Sequence, residues 1–155
     1  MKKQKQPTKK SNIKIFVIIG IILAGVGAGY GGINAMTPVN SKTPVFGFGE
    51  NIFINAKHTD QGFSFVTQSG GGKKSMGTTQ VSPTIYLTRD QLASVHVMNN
   101  DKDFKHNFNI DEFNVHSKDL GYFEPQTITF VADKTGTFRY HCTLHPEMSG
   151  QVIVQ

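Results

Sequence analysis

From Ile15 to Ile33 the chain reads IFVIIGIILAGVGAGYGGI, nineteen residues without a charge. A bilayer span needs about 20 apolar residues. This run is therefore expected to be a transmembrane or signal helix rather than part of a packed core. Six of the sixteen basic residues lie before or at its edge: Lys2, Lys3, Lys5, Lys9, Lys10 and Lys14. The first acidic residue is Glu50. Lysines cluster on the cytoplasmic side of spans, which puts residues 1–14 inside the cell and everything after Ile33 outside it. Two readings stay open. The small residues Gly25, Gly27, Ala28 and Ala35 would suit a signal peptidase, while the apolar length favours an anchor. Both export the remainder of the chain.

Without residues 1–14, ten basic residues face eleven acidic ones. The basic balance of the whole chain thus describes a tail and not a nucleic-acid-binding body. No later stretch alternates basic and aromatic residues in the manner of such a surface. At 155 residues the chain holds one ordinary domain beside an anchor and a linker. Residues 34–50, broken by Pro38, Pro44, Gly47 and Gly49, read as that linker, and residues 51–155 as the domain. Runs rich in β-branched and aromatic residues recur along it: Asn51–Ala56, Gly62–Thr67, Thr84–Thr88, Val95–Asn99, His106–Ile110, Thr127–Ala132, Gly136–Cys142 and Gln151–Val154. Between the second and third lies a polar Gly-rich loop, 68–80. Short strands separated by turn residues, without helical periodicity, predict an all-β sandwich or barrel.

The chemistry is concentrated near the C-terminus, in the stretch YHCTLHPEMSG. Cys142 is the only cysteine. That excludes an internal disulfide and any site built from two thiolates. Cys142, His145 and Met148 put a thiolate, an imidazole and a thioether within seven residues. Zinc and iron sites rarely use methionine, whereas blue copper sites combine two imidazoles and a thiolate with a weak axial thioether. The second imidazole must come from elsewhere, and His106, at the head of the run HNFNI, is the best candidate. Among the other histidines, His141 alternates with Cys142 and is expected on the opposite face of its strand. His96 is expected on an outer strand face, and His58 and His116 in loops.

From about Pro83 onward the chain resembles the cupredoxins, the small blue copper proteins. The stretch FRYHCTLHPEMSGQVIV is most similar to the C-terminal loop of amicyanin- and plastocyanin-type members. The resemblance implies a Greek-key β-sandwich. By motif it implies one type 1 copper ion held by the thiolate of Cys142, the buried imidazole of His106, the solvent-edge imidazole of His145 and the axial thioether of Met148. It further implies an electron carrier rather than an enzyme, with a redox donor and acceptor docking transiently around His145 and Pro146. Backbone N–H groups just after Cys142 are the expected donors to its sulfur. Asn107, beside His106, is a candidate for tying the two ligand loops together. The chain also resembles the domain of cytochrome oxidase subunit II. That domain's binuclear site needs a second cysteine where Pro146 stands here. Two other readings are a red copper site, in which Asp111, Glu112 or His116 becomes a ligand and catalysis is possible, and a copper-handling module. Five methionines and a single cysteine argue against the latter.

Overall fold

The computed structural model describes residues 13–35, 37–47, 49–60, 62–67 and 80–155. The expected polar loop, apart from Gln80, and residues 1–12 of the basic segment lie outside the described residues. The chain divides into two units after Met36.

The first unit contains helix α1, Ile13–Ala35. Its apolar side chains are spread around the axis rather than confined to one stripe, so it has no face suited to a single packing partner. Its 23 residues rise about 34 Å, enough for the roughly 30 Å hydrocarbon core of a bilayer. By length and composition it is compatible with a membrane span or a signal segment.

Among the described residues the second unit is a sandwich of nine strands: β1 Glu50–Thr59, β2 Gly62–Thr67, β3 Ile85–Leu87, β4 Leu92–Asn99, β5 Asn109–Ile110, β6 Val115–His116, β7 Pro125–Val131, β8 Gly136–His141 and β9 Ser149–Val154. One sheet runs β2-β1-β4-β7 and the other β3-β9-β8-β5-β6. Alternation is clearest in β4, where Ala93, Val95 and Val97 are buried and Leu92, Ser94, His96 and Met98 are less so. Between the sheets, Phe65, Phe108 and Tyr140 pack ring against ring, with centroids 5.3–5.4 Å apart. All three are fully buried, and burial of each phenylalanine contributes roughly 2 kcal/mol.

The run 51–80 precedes the stretch that carries the sequence resemblance. Its strands nonetheless complete the first sheet, because β1 pairs in parallel with β4 and antiparallel with β2. His58, expected in a loop, lies in β1, which runs on to Thr59. His116, also expected in a loop, lies in the two-residue strand β6. The expected strand from His106 is shorter than its apolar pattern suggests and begins at Asn109.

Part of the stretch 34–50, expected to be a linker, is fixed to the body. Strand β7 is an edge of its sheet. Val39 N–H donates to Thr129 O at 2.9 Å, and Asn40 both donates to Val131 O (2.7 Å) and accepts from Val131 N–H (2.9 Å). Pro38 is buried beside them. An unpaired sheet edge invites aggregation, and this segment covers it. Prolines and glycines indicate that a segment is not a strand; they do not show what its backbone groups bind.

Candidate metal centre

Cys142 directly follows β8 and Met148 directly precedes β9, two antiparallel neighbours in which His141 pairs with Ser149. The next step outward sets Cys142 opposite Met148, and Cys142 N–H donates to Met148 O at 3.0 Å. Met148 N–H donates back to His145 O at 2.9 Å, which folds the loop over its own base. Arg139 holds the far side through Pro146 O at 2.9 Å. Cys142 and Met148 are buried, whereas His145 is only partly buried.

His106 comes from a separate loop. Its backbone forms a two-bond bridge with Leu120, at 3.2 and 2.8 Å. Ligand atoms of His106, Cys142 and His145 all lie within 4.8 Å of one another, and Cys142 Sγ is 3.8 Å from His145 Nδ1. The rings of the two histidines are 4.6 Å apart, centroid to centroid. Among the described residues these three make the one close group of histidine, cysteine and carboxylate donors. Met148 belongs to the same loop and is completely buried.

The donors fit a metal ion on an observation independent of motif. His106 Nε2 is 3.2 Å from Asp101 Oδ2, and both side chains are buried. The other ring nitrogen, Nδ1, is buried with no hydrogen-bond partner. Buried polar atoms are rarely left so, and an unprotonated imidazole nitrogen is a metal ligand. Burial lowers the pKa of His106, opposed by Asp101 and reinforced by His145, so the neutral, ligating form is favoured. Burial by itself would raise the pKa of Asp101. The N–H groups of Asp103 and Phe104 and the ring of His106 outweigh it, and the net shift is downward. Asp101 is thus a carboxylate that only accepts, and His106 Nε2 carries the proton.

Asn107 joins the two loops. Its Oδ1 accepts from Thr143 N–H at 2.8 Å, and its Nδ2 donates to Thr143 Oγ1 at 2.6 Å and to Asp119 Oδ1 at 2.7 Å. Its backbone N–H, 3.5 Å from Cys142 Sγ, is the donor to the sulfur. The donor expected from the backbone just after Cys142 is not the one found, because the Thr143 N–H is taken up by Asn107.

Over the site lie rings that the motif does not mention. Phe63, from β2, sits 4.1 Å from His145 and 5.5 Å from His106 by ring centroids. Phe104 meets His145 edge-on at 5.9 Å. A period-two pattern marks Phe63 as a strand residue but gives no sign that the β1–β2 hairpin reaches the site. Asp101 is likewise legible in the sequence only as part of the turn Asn99–Asn100–Asp101. His141 lies 3.9 Å from exposed Asp111, which is also 3.9 Å from His116. Neither Asp111, Glu112 nor His116 joins the three-donor group. His96 stacks on Phe53 on the outer face of β4 and bonds Thr127 and Asn51.

Residues 75–154, just over half of the chain, match the family model described as a cupredoxin-like domain. The chain belongs to the cupredoxin family. Cupredoxins bind copper, and this one brings together a histidine–cysteine–histidine group able to hold a metal ion. No curated protein matches the sequence. Among solved structures the cupredoxin is similar to rusticyanin variants at 17% identity and a TM-score of 0.55, covering 81% of this chain and 94% of that one. It is also similar to a copper nitrite reductase from Nitrosomonas europaea at 18% identity and a TM-score of 0.54. That match covers 70% of this chain and only 42% of the reductase. At such identities the likeness is one of fold.

Proposed function

We propose that this cupredoxin is a mononuclear type 1 copper protein that passes single electrons between redox proteins outside the cytoplasm, with residues 15–33 anchoring it to the membrane. The proposed ligands are His106, Cys142, His145 and Met148. The observation that carries the reading is the buried, unpartnered Nδ1 of His106 in a group shared with a thiol and a second imidazole.

Copper, when bound, supplies a one-electron couple between Cu(II) and Cu(I). The chain's own residues supply rigidity. Asp101 and the Leu120 bridge fix His106 from behind, and Asn107 locks the His106 loop to Thr143. The β8–β9 register fixes the base of the Cys142–Met148 loop. Donors held this way leave little to rearrange when an electron arrives. Phe63 and Phe104 limit the approach of water to His145. The half-exposed Phe104 and Leu144 beside the loop provide an apolar rim suited to small, transient encounters.

Film voltammetry of the full chain in detergent, loaded with copper, tests this. The expected result is one reversible one-electron wave, with no added catalytic current from nitrite. Met148→Gln should keep the wave and move it to lower potential, because an oxygen donor favours Cu(II) over Cu(I). A shift of about 59 mV corresponds to a tenfold change in the equilibrium. Absence of a wave, or a catalytic current with nitrite, contradicts the proposal.

A further inference from the structure

Among the described residues Asp101 is the one buried carboxylate. Among the described residues no lysine or arginine pairs with it; its side-chain partner is the imidazole of His106. Its two oxygens have separate roles. Oδ1 accepts the N–H groups of Asp103 at 3.0 Å and Phe104 at 3.3 Å, forming the turn. Oδ2 faces His106 Nε2 at 3.2 Å. Its own N–H donates to Asn99 Oδ1 at 2.7 Å, and Asn99 Nδ2 in turn donates to Leu120 O, the partner of His106 in the backbone bridge. The carboxylate is therefore held by the same small network that holds the histidine.

A neutral oxygen would suffice to orient the ring. A buried full charge carries a desolvation cost that its hydrogen bonds only partly offset, so its retention here calls for a positive partner. With Cys142 as thiolate and both imidazoles neutral, the pocket carries two formal negative charges, one on Cys142 and one on Asp101. Cu(II) neutralises both, whereas Cu(I) leaves one uncompensated in a buried site. Carboxylate–histidine pairs also raise the basicity of the ligating nitrogen.

Resting on the copper reading above, we propose that Asp101 is a positioning residue that presents Nδ1 of His106 to the metal and that its charge biases the centre toward Cu(II), lowering the reduction potential. The charge and the hydrogen bond are separable. Asp101→Asn can still accept from Nε2 through its amide oxygen but carries no charge. Asp101→Ala loses both.

The test uses the full chain in detergent. In the copper-free protein, ring ¹⁵N shifts of His106 should report the Nε2–H tautomer in the wild type and in Asp101→Asn, and a mixture in Asp101→Ala. In the copper-loaded protein, Asp101→Asn should keep the thiolate-to-copper band and weaken Cu(II) binding relative to Cu(I) at least tenfold, a potential about 59 mV more positive for one electron. Asp101→Glu, which restores the charge, should move back toward the wild-type value. An Asp101→Asn potential equal to that of the wild type overturns the electrostatic role. An Nδ1–H tautomer in the wild type overturns the positioning role, and that measurement needs no variant to fold. If the wild type shows no thiolate-to-copper band, the copper reading fails, and the tautomer result still decides whether Asp101 positions the ring.

Discussion

Cys142→Ala is expected to remove all intense visible absorption from the copper-loaded protein. That colour requires a thiolate bonded to Cu(II), and Cys142 is the only cysteine in the chain. It is 1% exposed, accepts a hydrogen bond from Asn107 N–H and stands 3.8 Å from His145 Nδ1. No other thiol can take its place. Loss of one sulfur from a packed site costs about 1 kcal/mol, so the variant should still fold. Far-ultraviolet circular dichroism and a melting curve would verify this. Residual weak binding of Cu(II) through the two histidines is compatible with the assignment; an unchanged visible spectrum is not.

The largest expected effect on stability comes from Gly150→Ala. Gly150 pairs directly with Tyr140 across β8 and β9. A Cβ at this glycine would overlap the Tyr140 hydroxyl and the adjoining ring atoms. The ring cannot swing aside freely. It is completely buried, packs on Phe65 and Phe108, and donates its hydroxyl proton to Pro83 O at 2.7 Å. Burial raises the pKa of Tyr140 far above the ordinary range, so the hydroxyl stays protonated and must keep a partner. Overpacking costs about 1–3 kcal/mol, and a stranded buried hydroxyl about 1–3 kcal/mol more. The sum expected is about 4 kcal/mol, read as a lower urea midpoint. Tyr140→Phe removes only the hydrogen bond and should cost about 1 kcal/mol. Because β9 begins one residue after Met148, Gly150→Ala should also perturb the metal loop. Equal midpoints for Gly150→Ala and the wild type would contradict this packing.

The fold class and the C-terminal donors are legible in the sequence for a shared physical reason. Strand alternation and the Cys142–His145–Met148 spacing are local patterns, and the strand ends that carry the loop follow directly from them. The features that are not legible depend on contacts far apart in the chain. Phe63 reaches His145 from 82 positions away, and nothing in GFSFVT announces it. Asp101 lies in a stretch whose composition says only turn; its burial depends on how the His106 loop closes against Leu120. The covering of β7 by Val39 and Asn40 is likewise a long-range fact, hidden in a segment whose prolines suggest a linker. Asn107 is the intermediate case. Its place beside His106 points to a tie between loops, and its bonds to Thr143 make that tie.

The most direct measurement is the visible and electron paramagnetic resonance spectrum of the copper-loaded full chain. An intense blue band with narrow copper hyperfine splitting is the expected result, since a rigid site with one short thiolate bond gives both. A red species with ordinary splitting, or no charge-transfer band at all, would contradict a type 1 centre built from His106, Cys142, His145 and Met148.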